Sequence, residues 1–158
     1  MIKFIARGLE KLGRKRVILD RQSDEPYMER YYLFLKDRKR FPFNIFLHKF
    51  LKSDPDQVHD HPWAYATLIL KGGYWEWLPQ FNSEGHQVNE LQVWRGPGHF
   101  RVSSADSFHR IELDTSVECW TLFMPGPQRR EWGFWFKDKW VQHEEYMAQK
   151  RQEKLVAR

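Results

Sequence analysis

The chain has 158 residues, 41% of them hydrophobic, with 26 basic against 21 acidic side chains and a net charge of +5. That length predicts one domain with a sizeable core; no apolar run approaches the ~20 residues of a membrane span, and so mild a basic excess gives no nucleic-acid site. Cys119 is the only cysteine, which excludes an internal disulfide and points to a reducing, cytoplasmic setting, and Met1–Arg7 lacks the apolar core of a secretory signal.

Ile2, Ile5, Ala6, Leu9 and Leu12 recur at helical spacing, with Lys3, Arg7, Glu10, Lys11 and Arg14 opposite them, so an amphipathic helix is expected over 2–13, stopping at Gly13. Its basic side either touches a membrane surface or acidic partner, or is the solvated face of a helix capping a sheet. Short strands are expected at Val17–Leu19, Tyr27–Leu35 and Phe43–Leu51, with a charged turn at Lys36–Arg40. In the third, Phe46, His48 and Phe50 share one face, which reads His48 as a pocket wall. Ser53–Asp56 is a turn.

Val58–Gly73 begins with His59-Asp60-His61 and runs into a β-prone stretch ending in a double glycine. Further strands are expected at Tyr74–Leu78, Val88–Trp94, Phe100–Val102, Ser107–Leu113, Val117–Met124 and Trp132–Phe136. Pro79–Gln87 reads as a loop tipped at Ser83–His86, and Asp114–Ser116 as a hairpin turn. From Trp140 or Val141 the pattern turns helical, to about 156. No repeat, low-complexity tract or linker interrupts it. Aromatic content of 16% favours strands. Eight or nine short strands with a helix at each end predict an all-β sandwich or barrel over about 26–137, with no room for crossover helices.

Side chains alternate along a strand, so His59 and His61 share a face and their imidazoles form a ligand pair for a divalent transition metal. A third nitrogen is needed. His109 supplies it: Ser107, His109 and Ile111 form one small, apolar side of their strand, whereas Phe108, Arg110 and Glu112 form the other. Trp63, Tyr65 and Thr67 continue the face of the two histidines. Tyr65 there is a catalytic acid, a weak ligand or a pocket wall. Asp60, out of phase, braces the turn or a ligand ring. Glu76 is either a carboxylate ligand candidate or a solvated strand residue. Arg101 is a candidate for an anionic substrate, while Arg110 points outward. His86, His99 and His143 are expected at the surface.

These residues resemble the two motifs of the cupin superfamily over roughly residues 43–125. In the first motif His59, His61 and Gly72 match, with Ser53 for the leading glycine and Tyr65 for the glutamate. In the second, Gly98 and His109 match, with Ser104, Asp106 and Leu113 at the remaining positions. The stretches His59–Trp63, Trp120–Phe123 and Arg130–Phe134 also look like small bacterial and phage cupins without an assigned reaction. The resemblance implies a double-stranded β-helix, or jelly-roll barrel, holding a metal, with dimers formed through edge strands.

Tyr65 at the glutamate position leaves three neutral imidazoles, as in the three-His iron centre of thiol dioxygenases. The resemblance therefore implies an Fe(II) dioxygenase, an oxidoreductase of small molecules, with Mn, Ni or Zn as other candidate ions. His48, Trp63, Thr67, Glu76, Arg101 and Cys119 are its candidate substrate contacts. Cys119 lies on a different strand from the crosslinked cysteine of some thiol dioxygenases. A non-catalytic scaffold is the alternative. A metal-independent sugar epimerase of the cupin type is a third reading; it would want a histidine–aspartate base pair, which the sequence does not locate.

Overall fold

A computed structural model describes residues 1–20, 22–36, 41–55, 57–114 and 116–156. Asp37–Arg40 of the expected charged turn, Asp56 and Thr115 lie outside them. Helix α1 (Ile2–Lys11) is followed by β1 (Lys15–Leu19), β2 (Pro26–Tyr32), β3 (Phe46–Phe50), β4 (Tyr65–Lys71), β5 (Tyr74–Phe81) and β6 (Gln87–Arg95). Then come β7 (Phe100–Ser103), β8 (Arg110–Leu113), β9 (Cys119–Pro125), β10 (Gly133–Phe136), β11 (Lys139–Gln142) and α2 (His143–Val156). The fold is all-β with a helix at each end, as the sequence predicts.

Every strand pair is antiparallel. One sheet has the order β1-β2-β3-β9-β4-β7, a second β6-β5-β8, and β10-β11 form a separate ribbon. The inward residues Phe50, Ile69 and Cys119 of the large sheet pack against Tyr74 and Ile111 of the small one. Outside the large sheet, α1 lays Ile2, Ala6 and Leu9 on Tyr31, Leu47 and Trp120. The helix therefore caps the sheet with one flank, and Gly13 at φ 64 turns the chain back.

Several boundaries differ from the sequence reading, each for a physical reason. Strand β5 runs on through Pro79 to Phe81 where a loop is expected. Pro79 pairs with β6, and β8 reaches only Trp77, so the missing N–H faces an open edge. Strands β8 and β9 do not pair as a hairpin: β8 belongs to the small sheet and β9 to the large one. Trp140 and Val141 lie in β11 rather than in the last helix. The β10–β11 turn is made by Lys137 and Asp138, both at positive φ, a type of turn that Asn or Gly would have announced. Gly72 turns β4 into β5 at φ 70, against the Glu118 carbonyl. Any side chain there would meet backbone.

Candidate metal centre

His59 and His61 lie in the segment before β4 rather than in a strand, so alternation within one strand is not what aligns them. A backbone bridge does the work instead. The His59 N–H donates to the His109 carbonyl at 2.9 Å and the His109 N–H to the His59 carbonyl at 3.0 Å. Residues paired this way project their side chains to the same face. His61, two residues on in an extended segment, keeps that parity, and its N–H donates to Ala105. One ring nitrogen from each of the three histidines falls within 4.8 Å of the others.

Asp60, between the two ligand candidates, is wholly buried. Its carboxylate accepts from the Gly133 N–H at 2.7 Å and the Trp140 indole at 3.0 Å, and pairs with Arg130. It therefore braces the segment against the C-terminal ribbon, where Phe134 also bridges to His59.

Glu76 is neither solvated nor a member of the three-nitrogen group. It is 2% exposed, a correction that its inward parity with Tyr74 explains. One oxygen accepts from His109 Nδ1 at 2.8 Å and the other from Arg95 Nε at 2.7 Å, and Arg101 pairs with the first. Burial alone would raise this carboxyl; the His109 bond, the Arg101 charge and the Arg95 bond outweigh it and hold it at about 2. An ionised carboxylate only accepts, so the His109 proton sits on Nδ1 and Nε2 presents its lone pair.

That lone pair lies 2.8 Å from His61 Nε2 and 3.3 Å from the Tyr65 hydroxyl. Two imidazole nitrogens bound side by side at about 2.0–2.1 Å from one ion stand about 3 Å apart. The donor set, and the separation of His61 from His109 within it, fit a divalent transition metal. Burial pushes the Tyr65 phenol up to about 12, so it stays protonated beside these nitrogens.

The centre opens on a cavity of about 260 Å³ between the two sheets. His48, Trp63, Thr67, Glu76 and Arg101 all line it. Cys119 does not: it is 1% exposed in the apolar core, and burial pushes its thiol up to about 12. His86 is exposed, whereas His99 and His143 are half-buried, against Arg95 and Trp132 respectively. Sequence reasoning missed Arg95 and Arg30, the latter donating to His48 Nε2 at 3.0 Å. The alternation of their strands carried both signals.

Burial, with the Arg30 charge beside it, holds the His48 imidazole well below its ordinary value. The folded protein then binds fewer protons here than the unfolded chain, so stability rises with pH and is lost as pH falls below about 6.5. Between about pH 6.5 and 5, His48→Gln is expected to remove up to about 1.4 kcal/mol per pH unit of that slope. Urea unfolding at several pH values checks it; an unchanged slope would contradict a neutral His48.

No protein-family model matches the sequence, and no curated protein matches it. Solved structures do match. The polyketide cyclase RemF from Streptomyces resistomycificus aligns at TM-score 0.54 and 16% identity, covering 77% of this chain and 78% of that one. Fe(II)-HppE with the alternative substrate (S)-1-HPP aligns at TM-score 0.51 and 11% identity, over 72% of this chain and 56% of that one. A cupin superfamily protein from Desulfitobacterium hafniense DCB-2 aligns at TM-score 0.45 and 14% identity, over 64% and 78%. With facing antiparallel sheets around a histidine-lined cavity, the fold of this chain is the cupin jelly roll.

Proposed function

We propose that this protein is a metal-dependent enzyme of the Fe(II) oxygenase type that acts on a small molecule, with His59, His61 and His109 as metal ligands. The observation that carries the reading is the meeting of three histidine nitrogens, within 4.8 Å of one another, at the wall of an internal cavity. The likeness in fold to Fe(II)-HppE supports iron ahead of Mn, Ni or Zn. A divalent ion held by three neutral imidazoles supplies Lewis-acid and redox chemistry with positions open to small ligands.

The chain's own residues do the rest. Glu76 holds the Nδ1 proton of His109, so that in the neutral imidazole Nε2 is the nitrogen that faces the metal position. The Tyr65 hydroxyl is a fixed proton donor beside it. Trp63 and Trp132 wall the cavity with apolar surface and limit the access of water. Arg95 and Arg101 place two guanidinium groups against one carboxylate. Arg101, with Thr67 and His48 on the same sheet, is the cationic group that would orient an anionic substrate in the cavity.

One observation favours a second reading, a metal-independent acid–base enzyme. His109 and Glu76 form the histidine–carboxylate pair that such chemistry needs, with Tyr65 at 3.3 Å as the acid. Anaerobic reconstitution with Fe(II), followed by nitric oxide and electron paramagnetic resonance, separates the two. The oxygenase reading expects roughly one iron per chain and a high-spin nitrosyl signal, since open positions admit the probe. Wild-type protein that retains no Fe, Mn, Ni or Zn would end it and leave the acid–base pair or the scaffold.

A further inference from the structure

Helix α1 has more apolar surface than the sheet beneath it covers. Ile2, Ala6 and Leu9 are the flank that packs. Phe4, Ile5, Gly8 and Leu12 form a second stripe on the adjacent flank. Phe4 is 82% and Leu12 72% exposed, and nothing lies within 4 Å of where a Cβ on Gly8 would stand. A stripe so open cannot be core.

A second apolar group lies by the end of the same helix. Phe34, Phe41 and Phe43 pack on one another with ring centroids 5.2–5.5 Å apart, yet each is more than two-fifths exposed. Arg14 ties this loop to the helix end by donating to the Tyr32 and Phe34 carbonyls. Lys36 Nζ comes within 3.8 Å of a Cβ built on Gly13.

Among the described residues, the charges beside these rings that no opposite charge engages are basic. Arg7 and Lys11, one turn apart, are exposed beside the helical stripe, and Lys36 is exposed beside the loop. The carboxylates that touch α1 are already engaged: Glu10 by Lys15 at 2.9 Å, and Glu118 by Lys3, Lys49 and Lys71. Free positive charge thus frames exposed phenylalanine and leucine on two neighbouring elements.

We propose that α1 and the Phe34–Phe43 rings form a peripheral docking face for an anionic lipid surface. The helix lies in the plane of the headgroups, with Phe4, Ile5 and Leu12 entering the acyl boundary and Arg7, Lys11 and Lys36 meeting lipid phosphates. Two apolar insertions plus basic side chains supply the paired signals that stable peripheral binding takes. A second copy of the chain is the poorer occupant, because a two-fold contact would set these cations against their own equivalents.

Flotation of the full chain with phosphatidylcholine–phosphatidylglycerol vesicles tests the face. Wild type should float with the mixed vesicles at low salt and lose at least about tenfold in partitioning to pure phosphatidylcholine. Lys11→Glu and Phe4→Ser should each weaken binding about fivefold or more, the scale of one cation or one ring at the surface. Both side chains are exposed, so unchanged thermal melting certifies the folded variants. Equal recovery with neutral and anionic vesicles, no recovery at all, or variants that float like wild type would each overturn the proposal. So would a dimer in solution that Phe4→Ser dissociates, since that assigns the face to a second copy.

Discussion

His109→Ala is expected to abolish specific zinc binding, lowering affinity by more than the about 10–100-fold that follows loss of an outer partner. Zn is the convenient probe because it accepts imidazole nitrogens without redox chemistry. A ligand that binds only the folded state at 100 times its Kd stabilises that state by about 2.7 kcal/mol. For a chain of this size that is about 5–10 °C in Tm. Wild type should show this rise and His109→Ala should not. An equal rise in both would place the zinc elsewhere and remove His109 from the ligand set.

Glu76 carries the second large effect. Its replacement by Leu keeps the volume but leaves Arg95 and Arg101, about four-fifths buried, without their carboxylate, and His109 Nδ1 without its acceptor. Removing one partner of a buried charge pair costs about 3–5 kcal/mol. Glu76→Gln keeps an acceptor oxygen for His109 and should lose less stability, so the two variants separate charge from shape.

The pH dependence has a fixed sign. A carboxyl held at about 2 against an ordinary 4.5 contributes roughly 3 kcal/mol above pH 4.5, lost as pH falls toward 2. Wild type should lose this stability in acid while Glu76→Leu does not. Zinc affinity of Glu76→Leu should drop about 10–100-fold as the His109 tautomer is released. Chemical unfolding and zinc titration measure the two consequences separately; a variant as stable as wild type would mean that the guanidinium groups find other partners.

Much of the centre was legible from residue parity alone. Ser107, His109 and Ile111 against Phe108, Arg110 and Glu112 predict which way the late histidine points, and it does point inward. Alternation predicts that His59 and His61 share a face, and they do, although a bridge to His109 rather than a strand sets it. Glu76 was harder because hydrophobicity misleads there. Its neighbours Trp75 and Trp77 look like core, yet Trp75 is 38% exposed and the carboxylate is inside. What reverses the pattern is a set of partners from two other strands and from the bridge before β8, Arg95, Arg101 and His109, and no local window contains them. Cys119 shows the opposite case. The resemblance makes it a candidate substrate contact, but its strand buries it in the core, out of reach of the cavity.

Asp60 makes the C-terminal ribbon answerable to the centre. Its carboxylate is bonded to Gly133 and Trp140, while the residues on either side of it are two of the three nitrogen donors. Whatever frees the tail, such as proteolytic clipping within it, loosens the spacing of those donors at the same moment. Binding and tail attachment are thermodynamically reciprocal in such an arrangement. An occupied centre would protect the last strands from cleavage, and an intact tail would raise occupancy.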